Sequence, residues 1–162
     1  MFNSISSLRS RRLSVVCVAL IGAFVLSVSS CKSSDDIAEK SLTGTWTSSY
    51  ADYYKIDSST VTYYDGGYGY DWTASLEGVS ATDDASGYVY IKYTKVGSGL
   101  DSTLVGAYVA VSYTSLSDSA AKFATAYKVG GKTTVSTLDE AKTEFTVDNG
   151  YFTTYGSYAK SE

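Results

Sequence analysis

Two stretches of strict alternation constrain this chain more than any other feature. In residues 88–95 the side chains of Val89, Ile91 and Tyr93 fall on one face while Tyr90, Lys92 and Thr94 fall on the other. Residues 105–113 repeat the pattern, with Val105, Ala107, Val109, Val111 and Tyr113 facing one way. A period of two belongs to an extended strand with one face on a core, so both stretches predict half-buried antiparallel strands. Residues 60–64 and 68–76 flank Asp65-Gly66-Gly67, and residues 144–147 and 151–155 flank Asp148-Asn149-Gly150. Asp-Gly and Asn-Gly tolerate the positive φ that tight hairpins need, which predicts two hairpins.

Residues 120–128 admit two readings. Four alanines favour a helix by propensity, yet Phe123, Thr125 and Tyr127 alternate against Lys122, Ala124, Ala126 and Lys128, and a strand is preferred. The clearest helix is 138–144: Thr137 and Glu140 form a capping box, and Leu138, Ala141 and Phe145 share a face. With about eight short strands in one domain, the expected class is all-β, a small antiparallel up-and-down barrel or a sandwich, with one short helix in its C-terminal half. The chain holds no proline, one of the usual protectors of sheet edges, and closure into a barrel removes the edges altogether.

The N-terminal thirty residues follow a different logic. Arg9, Arg11 and Arg12 precede the uncharged apolar run 13–28, the n-region and h-region of a secretory signal helix. The run is shorter than the roughly 20 residues that cross a bilayer as a helix. It ends in Val28-Ser29-Ser30-Cys31, which resembles the lipobox of bacterial lipoproteins. That resemblance implies that residues 1–30 are a cleaved signal peptide, that Cys31 is acylated, and that its lipid anchors the exported protein to a membrane. Residues 31–41, with Ile37 the only large apolar side chain, then read as the lipidated cysteine and a flexible tether. In enteric lipoproteins an Asp after the cysteine favours the inner membrane; Lys32 stands here, so the outer membrane or cell surface is expected.

Composition excludes several functions. The chain has no histidine, which removes the usual general base near neutral pH, the commonest zinc ligand and every Ser-His or Cys-His nucleophile pair. Beyond residue 30 there remain ten lysines and no arginine against seventeen acids, a net charge of about −7. Nucleic acid is a poor partner for such a surface. Cys17 leaves with the signal and Cys31 carries lipid, so the exported domain has no disulfide. Gly97-Ser98-Gly99 reads as a turn rather than a phosphate loop. Asp83-Asp84 and Asp65 read as solvated turn carboxylates rather than calcium ligands. No metal, cofactor or catalytic constellation is expected, and the protein is not expected to be an enzyme.

Residues 42–162, the proposed barrel domain, open with Leu42-Thr43-Gly44-Thr45-Trp46. A Gly-x-Trp on the first strand of a small antiparallel domain resembles the lipocalin-like (calycin) barrels. Together with the lipobox, the DGGYGY hairpin, the GYVYIKYT strand and the closing TLDEAKTEFTVDNGYF segment, the domain looks like the lipocalin-like lipoproteins of spirochaete-type bacteria. The resemblance implies that Gly44 starts the first strand and that Trp46 closes one end of the barrel. Many members stack an arginine from a late strand on this tryptophan; a lysine such as Lys160 would stand in for it here. The apolar inward faces of the expected barrel predict a small, largely apolar ligand in the interior, with Val89, Ile91, Tyr93, Val109, Val111 and Tyr113 as candidate wall residues. An eight-stranded barrel can equally be filled by its own side chains. The alternative is therefore a filled barrel that acts as a surface interaction module through its acidic, tyrosine-rich exterior. All sixteen tyrosines lie beyond residue 49, and they can fill, line or coat the barrel.

Overall fold

A computed structural model describes residues 33–161. The signal segment 1–30, with Val28, Ser29 and Ser30, and the anchor residue Cys31 lie outside the described residues. Eight strands follow one another around a closed antiparallel barrel: β1 (Gly44–Ser48), β2 (Tyr53–Ile56), β3 (Thr60–Tyr64), β4 (Trp72–Asp83), β5 (Ser86–Val96), β6 (Tyr108–Thr114), β7 (Ala120–Thr125) and β8 (Gly156–Ser161). Each pairs with its successor, and β8 returns to pair with β1. The expected up-and-down barrel is the observed one, and 120–125 is strand rather than helix.

Register carries the alternation around the ring. Trp46 lies opposite Tyr54, Tyr54 opposite Tyr63 and Tyr63 opposite Trp72. Val89 lies opposite Val111, and Tyr113 opposite Phe123. Cross-strand partners share a face, so these side chains converge on one interior. Trp46, Val89, Ile91, Val109, Val111, Tyr113 and Phe123 are each no more than 2% exposed.

Five local expectations are corrected. Residues 31–41 do not form a flexible tether throughout, because helix α1 (Ser34–Leu42) begins within them. Ser33 caps it by accepting from the Asp36 amide at 3.2 Å, and Asp35 and Asp36 occupy its first turn, where negative charge meets the positive end of the helix. A helix this short is marginal alone. It is held by burying Ala38 and Leu42 and by Asp35 accepting from the Ala81 amide at 2.8 Å.

Residues 68–71 belong to a loop rather than to β4. Asp65 is not a solvated turn carboxylate: it is nearly buried and accepts from the amides of Gly67, Tyr68 and Tyr70. Desolvation opposes its charge, but these amides prevail and hold the carboxyl below its ordinary range. β6 starts at Tyr108, not 105, because a 3-10 turn (Ser102–Leu104) and Gly106 at φ 90° occupy the preceding positions.

The second hairpin does not form. Residue 144 ends helix α2 (Leu138–Glu144), whose start the capping box marks, and the Asn149 side-chain Nδ2 donates to the carbonyls of Thr143 and Glu144 at 3.0 and 2.8 Å. Asn149 thus satisfies helix-end carbonyls that would otherwise be orphaned, rather than turning a hairpin. The closing strand is instead 156–161.

α2 and the segment after it cover the outer face of β5 to β7. Ala110 and Ser112 point away from the interior yet are 0% and 3% exposed. Over this face lie Ala141, Phe145, Tyr151 and Phe152, all buried. Tyr88 packs on Phe152 with ring centroids 5.7 Å apart, and Ser112 and Tyr155 share a hydroxyl hydrogen bond at 2.9 Å. This side of the barrel is buried on both faces, which explains the small residues on the outward positions of β6. Among the described residues no helix is long and apolar enough to cross a membrane.

Candidate functional site

One barrel end is sealed. Gly44, the end of β2, the β4–β5 hairpin and the β6–β7 connection lie at this end, and α1 packs against β4 there. Trp46 is fully buried, and its indole N–H donates to the Leu42 carbonyl at 2.7 Å. Lys160, opposite Trp46 in register, places its ammonium 4.9 Å from the ring centroid and donates to the Ser41 carbonyl at 3.0 Å. This is the cation–π contact expected of a late-strand lysine. Gly44 has φ 138°, and a Cβ there would lie 2.6 Å from Lys160 Cε. Glycine at this position therefore leaves both the backbone and the lysine free to adopt the seal.

The middle of the barrel is packed. Val89, Ile91, Val109, Val111 and Tyr113 fill it and do not line the cleft described below. They are wall residues of a solid interior. Tyr113 is 1% exposed and its hydroxyl has no hydrogen-bond partner among the described residues. Burial, followed by the charges of Asp35 and Asp83, pushes its phenol up to about 12.

The opposite end opens into a cleft of about 410 Å³. Of the six candidate wall residues only Tyr93 lines it. The floor is aromatic: Tyr54 lies 5.1 Å from Phe123 and 5.2 Å from Tyr158 between ring centroids. Trp72 and Tyr93 stand edge to face at 77° and 5.5 Å. Leu100 and Leu104, from the β5–β6 connection, add an aliphatic side, and no charged residue is in the lining.

Two hydrogen bonds fix the floor. The Tyr54 and Thr125 hydroxyls lie 3.0 Å apart, and the Tyr158 hydroxyl donates to Asp52 at 2.6 Å. Burial is the first cause raising the phenols of Tyr54, Tyr93 and Tyr158, with Tyr93 pushed up to about 12, so the floor is neutral at physiological pH. Loop geometry shapes the mouth. Gly97 and Gly99 donate to the carbonyls of Asp71 and Gly69 at 2.7 and 2.8 Å, tying the two connecting loops together. A Cβ on Gly97 would stand 2.3 Å from the Gly69 carbonyl oxygen. The Gly-Ser-Gly turn is thus a loop clasp.

Sequence reasoning placed the aromatic-rich strands but not the cleft, because Tyr70, Leu100, Leu104 and Thr133 reach it from loops. The exposed side chains Tyr50, Tyr68, Tyr70, Tyr127 and Val129 belong to connections at this same end. Comparison with protein-family models, curated proteins and solved structures found no match for this chain.

Proposed function

We propose that this chain is an exported, membrane-anchored lipoprotein whose lipocalin-like barrel is non-enzymatic and binds a small, largely apolar ligand at its open end. The observation that carries the reading is the aromatic cleft of about 410 Å³ in the mouth of a closed eight-stranded barrel. Ligand sites are typically concave, mostly apolar and equipped with a few polar groups. Phenol and threonine hydroxyls supply those groups here. Anchoring rests on the Val28-Ser29-Ser30-Cys31 pattern and the apolar run before it. Lipid at Cys31, just ahead of α1 in sequence, directs the sealed end toward the membrane and the mouth away from it, at the outer membrane or cell surface.

Native mass spectrometry of protein extracted from membranes tests the binding half. A non-covalent small species released on activation is expected, and an empty barrel in every preparation counts against it. Labelled palmitate tests the anchor: incorporation is expected in the native chain, and incorporation that persists in Cys31→Ala overturns it. A second reading is favoured by the ring of exposed aromatics, since Tyr50, Tyr68 and Tyr127 are 87%, 82% and 71% exposed. In that reading the mouth-end loops engage a surface partner, since aromatic side chains are enriched at interaction sites.

A further inference from the structure

The chemistry of the cleft narrows the ligand class, on the premise that the cleft is a binding site. Aromatic faces carry partial negative charge and attract cations, most strongly when water is excluded. Tyr63, Trp72 and Tyr93 all line the cleft; Tyr63 and Trp72 lie 5.8 Å apart, and Trp72 meets Tyr93 nearly at a right angle. The three rings therefore stand at more than one orientation along the cleft wall. Among the described residues, the lysine–ring contacts use Tyr90, Tyr108, Tyr151 and Trp46, none of which lines the cleft. Among the described residues no lysine stands over a cleft aromatic.

Two carboxylates close to the cleft add negative charge on the Tyr63 side. Asp52 stands behind the floor, bonded to Tyr158 and to the Ser48 hydroxyl, and Asp65 is held in the mouth loop. Burial, then the charges of Asp52 and Asp65, push the Tyr63 phenol up, so both carboxylates act on the cleft wall. No lining lysine offsets them. An anion would be repelled, and a primary ammonium is strongly hydrated and needs several acceptors. A cation wrapped in methyl groups needs none, and offers apolar surface to Leu100 and Leu104.

We propose that the mouth cleft takes an organic cation of the quaternary-ammonium class, its charge held against the Tyr63, Trp72 and Tyr93 rings. The test uses the full lipidated protein and two probes of one shape: choline, and its uncharged analogue in which carbon replaces the nitrogen. Calorimetric titration is expected to show choline binding roughly tenfold more tightly. Tyr63→Leu, at a partly buried position, and Asp52→Asn should each shrink that ratio. Equal or tighter binding of the uncharged analogue overturns the inference and leaves the apolar-ligand reading standing. If neither probe binds but an apolar fluorophore does, the outcome is the same. If no probe of any kind binds, both readings fall. A choline preference unmoved by either substitution places the cation elsewhere and also overturns the inference.

Discussion

Replacing Leu42 by alanine separates a docked α1 from a tether. Leu42 is fully buried, and its carbonyl accepts the Trp46 indole N–H at 2.7 Å. Truncation removes the branched end of the side chain from a site that α1, Trp46 and the strand ends enclose. Lost transfer energy at about 0.8 kcal/mol per buried carbon gives roughly 2 kcal/mol. Incomplete collapse of the space left behind takes the total to about 2–4 kcal/mol. That is a large part of the 5–15 kcal/mol typical of a domain. Urea unfolding of the chain from residue 31 onward, followed by tryptophan fluorescence, measures it: the midpoint should fall with the slope unchanged. Amide exchange across 34–42 should accelerate in the same variant. A tether has no such stake in the core. A midpoint shift worth less than about 0.5 kcal/mol, the size of an ordinary surface substitution, would refute the docked-helix argument.

Further outcomes follow from other parts of the molecule. Phe145→Ala empties the fully buried layer outside β5 to β7, and denaturant unfolding should register a loss of about 3–5 kcal/mol; a neutral result would mean that the outer layer is not packed. Gly44→Ala adds strain at φ 138° and should cost about 1–3 kcal/mol. Removing the Lys160 side chain in the same protein should leave most of that cost, because the backbone carries it and the lysine end can move. Alkaline unfolding should follow the buried phenols. Unfolded tyrosine ionises near pH 10, whereas burial pushes Tyr93 and Tyr113 up to about 12. The unfolded chain therefore loses protons first, and stability declines from about pH 10 to 12 while it is flat below that window. Tyrosinate absorbance titrated alongside circular dichroism checks this, and free titration of every phenol at its ordinary value in the folded state would contradict it.

Much of the barrel was legible because alternation is a local property. The period-two pattern of Val89, Ile91 and Tyr93, and of Val109, Val111 and Tyr113, needs no knowledge of the partner strand to declare which face is buried. The Thr137–Glu140 capping box likewise located α2, because both groups lie within one turn. The Gly-x-Trp pattern and Lys160 pointed to the sealed end through resemblance. Asn149-Gly150 misled for a related reason. The same dipeptide can turn a hairpin or terminate a helix, and the choice falls to whichever orphaned carbonyls lie within reach.

What covers a face is not local. Tyr90, Ala110 and Ser112 occupy positions that alternation assigns to solvent, and α2 with Phe145 and Phe152 buries them. α1 gains its stability from docking, so a polar nine-residue stretch read alone resembles a linker. The tyrosines divide in the same way. Tyr54, Tyr93, Tyr113 and Tyr158 occupy the interior, Tyr90 and Tyr151 the outer layer, and Tyr50, Tyr68 and Tyr127 the open rim. Sequence by itself determined that this chain makes an all-β antiparallel domain, since strand faces are written in adjacent residues. Only the tertiary structure decided how α1 completes the sealed end, that the other end opens, and which rings line the opening, because those outcomes depend on loops and helices meeting strands far away in the chain.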